Sequence, residues 1–285
     1  MVTPPARRGC VKHLVDNKKY SERKACNLIG INRLSYRYFK KPAPDDLNIT
    51  EIIKELSRRY RRYGYRRITA LLKRKGITIN IKRVHRIWKK EGLSLATKRP
   101  RKRRRGISVE IVKKAETVNH VWTYDFMEDR TEYGGKLRIL TVVDEYSRKC
   151  LKIKVSRSIN SLQVIEILKW LFALYGRPKY LRSDNGPEFV ASAIQKWLKE
   201  ENCGTIYITP GSPWENPYIE SFNGKFRDEC LNMEIFRNAK EAQIVVEIFR
   251  RDYNEIRPHS ALGYLTPDEF TRKMCEGNSE ALKAA

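Results

Sequence analysis

Three carboxylates are set where they could do phosphoryl chemistry. Asp125 closes Trp122-Thr123-Tyr124-Asp125, a stretch with strand character. Asp184 sits in Arg182-Ser183-Asp184-Asn185-Gly186-Pro187-Glu188-Phe189, and Glu220 lies within Asn216–Arg227, with 35 residues between the two acids. In-line attack on a phosphodiester needs a deprotonated nucleophilic oxygen and a stabilised leaving oxygen. Two Mg²⁺ ions about 4 Å apart can supply both, and carboxylates hold them because hard cations prefer oxygen ligands. A single acid means little in a chain that is 32% charged. On that ground Asp144, Glu145, Glu128, Asp129, Glu188 and Glu215 are set aside as surface groups.

The elements that must position these acids follow from periodicity. Residues 120–127 alternate, so Asp125 shares a face with Val121, Thr123 and Met127. Residues 137–143 are nearly continuously apolar, as a central strand should be, and Leu151, Ile153 and Val155 alternate with lysines. An amphipathic helix through Leu162, Leu168 and Phe172, a short strand ending near Asp184, a helix over 189–201 and a strand over 205–208 follow. Three strands and then alternating helix and strand is the order of a ribonuclease H-like α/β core, although periodicity alone leaves other α/β folds open. Pro217 suits the first turn of a helix over 218–230. Ile219, Phe222 and Phe226 fall on one side of that helix, and Asn216, Glu220, Asn223 and Arg227 on another. The second side faces a site, with Arg227 and Lys225, together with Asn216 and Asn223, as candidate DNA contacts.

The front of the chain is basic. Residues 1–110 hold 33 Lys and Arg against 8 Asp and Glu, whereas residues 111–285 hold 26 against 25, within a net charge of +26. Such asymmetry points to a polyanion-binding front half and a near-neutral back half. Residues 1–41 form a helix-turn-helix unit in which Ser21 caps one helix and Gly30 leads to a short helix bearing Arg33 and Arg37. Residues 46–97 form a second helical DNA-binding unit, broken at Gly64, with Arg66, Arg67, Lys82, Arg83 and Arg86 as phosphate contacts. Residues 98–115 are a basic linker whose Arg101, Arg103 and Arg104 track DNA. Residues 116–275 form the catalytic core and 276–285 a frayed tail. The six cysteines lack a paired spacing, and Cys10, His13 and Cys26 lack a fourth zinc ligand, so packing is the plainer role for them. No apolar run reaches membrane-span length and the first residues lack an apolar signal region, so a cytoplasmic product is expected.

At several of these positions the chain resembles the DDE transposases and retroviral-type integrases, most closely the OrfB-type transposases of the insertion sequence 3 family. The resemblance is carried by Tyr63-Gly64-Tyr65-Arg66-Arg67-Ile68, Lys82-Arg83-Val84-His85-Arg86-Ile87-Trp88, Ser183–Phe189, Glu220-Ser221-Phe222-Asn223, Tyr253-Asn254 and Arg257-Pro258-His259-Ser260-Ala261-Leu262-Gly263-Tyr264. It implies a ribonuclease H-like integrase core preceded by an all-α helix-turn-helix DNA-binding region. It also implies that Asp125, Asp184 and Glu220 are a metal-binding catalytic triad holding two Mg²⁺, with Mn²⁺ able to substitute, and that Arg227 contacts DNA ends. The implied activity is cleavage at terminal inverted repeats to expose a 3′-OH, followed by its transfer to target DNA. The partners would be double-stranded DNA, further copies of the chain and a segment encoded in an upstream frame, in a bacterial cytoplasm near the nucleoid. The chain lacks the His-His-Cys-Cys zinc unit of viral integrases. His259 reads as a packing residue. The rival readings are a hydrolytic nuclease of the same fold, which would cut without joining, and a DNA-binding regulator with an inactive core.

Overall fold

The computed structural model describes residues 3–38, 46–95, 114–183, 192–208 and 216–283. The chain divides into two compact units, Met1–Ile52 and Ile53–Ala285.

In the first unit, α1 (Pro4–Lys18), α2 (Glu22–Ile29) and α3 (Arg33–Arg37) gather around Val11, Ala25 and Cys26. The Ser21 hydroxyl accepts from the Lys24 amide at 3.4 Å, starting α2 as expected of an N-cap. Gly30 ends it with φ +65°, a left-handed conformation that a side chain would strain, and Asn32 then caps α3. Helix, glycine turn and short helix match the expected outline. Cys26 is buried, Cys10 is exposed and the His13 ring pairs with Asn17 at 2.8 Å, so these three do not gather as zinc ligands.

The second unit holds most of α4 (Asp46–Arg59), then α5 (Tyr65–Arg74) and α6 (Ile81–Lys90), together with the catalytic-type core. The helical unit expected over 46–97 falls on α4 to α6, and from Ile53 onward its residues cluster with the sheet. The physical reason is a set of ionic contacts, described below, that tie α5 to the C-terminal part of the chain. Ile68, Leu71 and Leu72 of α5 and Val84, Ile87 and Trp88 of α6 are buried, and α5 packs on α6. His85 stacks on Tyr65 at 4.4 Å between ring centres, joining the same two helices.

The sheet contains β1 (Val121–Arg130), β2 (Lys136–Asp144), β3 (Cys150–Ser156), β4 (Tyr180–Ser183) and β5 (Gly204–Tyr207) in the order β3-β2-β1-β4-β5. The first three strands are antiparallel neighbours, and β4 and β5 add parallel to β1. This is the ribonuclease H-like arrangement expected from strand order. Parallel addition requires crossovers, and α7 (Ser161–Tyr175) and α8 (Ser192–Glu200) provide them. Asn160 starts α7 with a capping box completed by Gln163. Gly204 is required where β5 begins, because a Cβ there would come within 2.5 Å of the Tyr180 ring.

Two cores flank the sheet. Trp122, Tyr124, Leu140 and Val142 pack on α7 and α8 through Leu168, Leu171, Ile194 and Trp197. On the opposite face Met127, Ile139, Ile153 and Val155 meet α9 (Pro217–Glu229) and α10 (Ala239–Glu255) through Ile219, Phe222, Phe226 and Val246. Truncating a buried aromatic such as Trp122 or Phe222 to alanine would cost about 3–5 kcal/mol. The last helix, α11 (Pro267–Lys283), runs through most of the segment the sequence marked as a frayed tail. Glu280, Ala281, Leu282 and Lys283 are good helix formers and outweigh Gly277. Among the described residues, no helix is long and apolar enough to cross a membrane.

Candidate active site

β1 carries Asp125 on the same face as Thr123 and Met127, which its antiparallel register pairs with Val143 and Ile139 of β2. Asp125 itself pairs with Thr141. Alternation therefore puts one acid and two hydroxyls on a face that is otherwise apolar. α9 covers this face, and its polar residues contact those same positions. The Asn223 amide donates to Asp125 Oδ2 at 2.8 Å, and its oxygen accepts from the Thr141 hydroxyl at 3.0 Å. One helical turn pair earlier, Asn216 accepts from the Thr123 hydroxyl at 2.7 Å. Asp125 Oδ1 accepts from the Phe126 amide at 2.8 Å. Glu220 lies on α9 between the two asparagines and is exposed. Local burial raises its carboxyl above the usual range.

Of the three sequence-selected acids, Asp125 lies on a strand and Glu220 on the helix hydrogen-bonded to that strand through Asn223. Asp184 lies outside the described residues; Ser183, immediately before it, ends β4 and is buried. Among the described residues, no group of three His, Cys, Asp or Glu gathers as a metal site would need. The two acids present offer only oxygen, the donor type a hard divalent cation takes.

Asn216 and Asn223, expected at the DNA surface, are buried and spend their side chains on the sheet. Their heptad-like spacing with Glu220 marked a polar face correctly, but half of that face docks inward. Arg227 is exposed and donates to the Glu128 carbonyl at 2.9 Å. Lys225 is half-buried; burial, then Arg257 and Arg67 nearby, push its ammonium down to about 8. In the helical region Arg66, Lys82 and Arg86 are exposed and Arg83 is half-buried. Arg67 instead pairs with Glu229 at 3.2 Å. Arg33 and Arg37 both pair with Glu22, at 3.4 and 2.8 Å. Arg101, Arg103 and Arg104 lie outside the described residues, as do Glu188 and Glu215.

Two acids set aside as surface groups are buried. Asp144 accepts from the Asn119 amide and from both the amide and hydroxyl of Ser147, while burial raises its carboxyl. Glu145 forms an ion pair with Arg182 at 2.7 Å, both side chains at most 1% exposed. Burial raises Glu145 against the opposing pull of Arg182. The pair braces the end of β2 against β4, two residues before Asp184. Glu128 and Asp129 stay at the surface end of β1, Glu128 paired with Lys136.

Thr123 and Thr141 were missed in the sequence. The available signal was a hydroxyl at each inward position beside Asp125 where an apolar residue would otherwise stand. The segment over 257–264 was recognised by resemblance but not explained by it. There His259 is buried, edge-on to Tyr253 at 4.7 Å and close to Arg257, and burial followed by Arg257 pushes its imidazole down to about 2. It is held neutral in a packing position.

Comparison with known proteins adds a separate line of information. Residues 115–213 and 201–267 match descriptions of an integrase core domain, and residues 44–103 match an HTH-like domain. The chain is 40% identical, over 89% of its length and 91% of the relative's, to an insertion element IS407 protein of Burkholderia multivorans. It is 28% identical, over 84% of its length and 89% of the relative's, to the putative transposase InsK for insertion sequence element IS150 of Escherichia coli. Among solved structures, the magnesium complex of the HTLV-2 integrase catalytic core is similar over 54% of this chain and 97% of that one, at 17% identity and TM-score 0.41.

Proposed function

Because the chain belongs to the insertion-element transposases with an integrase core, a metal-dependent family, we propose that Asp125, Asp184 and Glu220 are the ligands of its catalytic metal ions. The observation that carries this is the Asn223 amide on Asp125. It ties the helix that presents Glu220 to the strand that presents Asp125. The β1–β4 register adds support. Its last pair, Thr123 with Arg182, sets β4 beside the strand that carries Asp125. Bound divalent ions would activate the attacking oxygen and stabilise the leaving one.

The rest falls to the protein's own side chains. Asn223 fixes the Asp125 carboxylate in one orientation, with its own amide fixed by Thr141. Asn216 and Thr123 seat the start of the helix, so Glu220 cannot slide along the strand. The exposed Arg227 and the half-buried Lys225 on α9 meet phosphates of the bound DNA end. Arg66, Lys82, Arg83 and Arg86 hold the flanking duplex, and Arg33 and Arg37 give the first unit phosphate contacts of its own. The DNA is the terminal inverted repeat of the element and then its target, and two ends require at least two copies of the chain. The site of action is the bacterial cytoplasm.

The test uses end-labelled duplexes taken from the DNA flanking the gene, with MgCl₂. Wild-type chain should yield a cut end with a free 3′-OH and then a joined product, and Glu220→Gln should yield neither while still binding duplex. Cut ends without any joined product would instead mark a hydrolytic nuclease.

A further inference from the structure

Glu229 is the last residue of α9, on the helix that also presents Glu220 and Asn223. Its Oε1 accepts from Arg67 Nη1 at 3.2 Å and from Arg257 Nη2 at 2.5 Å, and its Oε2 accepts from Arg257 Nε at 2.7 Å. Arg67 belongs to α5 and also lies over the Tyr63 ring. Seven residues on along the same helix, Arg74 donates to the carbonyls of Ile256 and Tyr264, at 2.8 and 3.0 Å, and to Glu269 at 2.6 Å. Both ends of α5 are therefore pinned by arginines to the elements behind the catalytic helix. Arg62 reaches the neighbouring acid Asp228 at 3.9 Å.

The surroundings of this joint show what kind of joint it is. A groove of about 630 Å³ runs beside it, lined by residues including Arg66, Lys73, Ile81 and Tyr264. A cleft of about 240 Å³ has Glu229 and Arg257 themselves in its wall, with Tyr60, Met233 and Asp252. An apolar joint would be non-directional and tolerant of sliding. A carboxylate gripped by two N–H groups along one edge of a guanidinium fixes angle as well as distance. The path from α6 through α5 and Glu229 to Glu220 thus runs through directional bonds.

We propose that Glu229, with Arg67, Arg257 and Arg74, is a positioning clamp. It sets the spacing between duplex held on the α5–α6 unit and the phosphodiester at Asp125 and Glu220, and so decides which phosphodiester is cut. These residues act through the helices they hold and do not touch the reacting atoms. The proposal rests on the transposase reading above.

The experiment compares full-length wild type, Glu229→Gln and Arg74→Gln on the same end-labelled duplexes. Cut positions are mapped to the nucleotide and duplex affinity is followed by fluorescence anisotropy. Affinity should change less than about threefold, because the basic face of α6 is untouched. Cutting at the wild-type phosphodiester should fall about tenfold or more, since a misplacement of ~1 Å can cost ~100-fold, and new cuts should appear at neighbouring positions. Variants that cut only at the wild-type position, at whatever rate, would overturn the clamp and leave Glu229 a stability residue. Loss of duplex binding in step with cutting would also overturn it. Arg74→Gln, at a part-exposed side chain, decides the matter if Glu229→Gln melts below the assay temperature. A wild type that cuts nothing would refute the transposase reading itself, and the clamp with it.

Discussion

Changing Asn223 to Asp replaces an amide by a carboxylate of the same shape, so no cavity forms and charge is the variable. The new carboxylate would stand where an amide nitrogen now lies 2.8 Å from Asp125 Oδ2, at a position 8% exposed. Two like charges about 4 Å apart repel by about 4 kcal/mol at an effective dielectric constant of 20. The protein can avoid this by keeping one carboxyl protonated. At pH 7 that costs about 1.4 kcal/mol for each of about three pH units, again about 4 kcal/mol. For a unit of this size, 1 kcal/mol shifts Tm by about 2–4 °C, so Asn223→Asp should melt roughly 8–16 °C below wild type at pH 7. The sign with pH is fixed. A carboxyl whose folded pKa is raised destabilises above its unfolded pKa, so the deficit should shrink as pH falls towards about 4, where both groups are protonated. Excess MgCl₂ at pH 7 should recover part of the deficit, since the added acid sits beside a proposed metal ligand. The assay is melting by circular dichroism from pH 4 to pH 7. A Tm deficit that is the same at both ends of that range would refute the reasoning, because it would mean that Asp125 and residue 223 do not share a site.

Other outcomes follow from the same structure. Arg182→Met strands Glu145 as a buried, uncompensated charge and should cost about 3–5 kcal/mol, read as a fall in the urea midpoint. His259 is neutral when folded, with its pKa pushed to about 2, while the unfolded imidazole takes a proton below about 6.5. Wild type should therefore lose about 1 kcal/mol as pH drops from about 6.5 to 5.5, and His259→Gln should flatten that part of the urea-unfolding profile. Substituting Lys82 and Arg86 together by Ala should lower the slope of log affinity against log salt by about 2 without moving the preferred duplex sequence.

Much of this protein is present in its one-dimensional pattern. Period-2 alternation around Asp125 placed the acid on a buried-facing side of a strand, and the run over 137–143 marked the central neighbour. Ser21 and Pro217 announced their helices through local capping chemistry, which depends on a few adjacent residues and so survives in sequence. The crowding of Lys and Arg into the first 110 residues separated a DNA-holding front from a near-neutral core without any coordinates. What tertiary structure decided is which polar side chains face outward. Asn216 and Asn223 share a helical face with Glu220, yet they turn to Thr123, Thr141 and Asp125 because two strands 82–98 residues away in the chain lie beneath them. Asp144 and Glu145 look like surface acids until Ser147, Asn119 and Arg182 are folded around them. Arg67 reads as a phosphate contact until Glu229, 162 residues later, accepts its donor. Hydrophobic period and helix caps are local and can be read along the chain. The partner of a charge is chosen by folding, because only folding brings distant residues within the few ångströms over which a hydrogen bond acts.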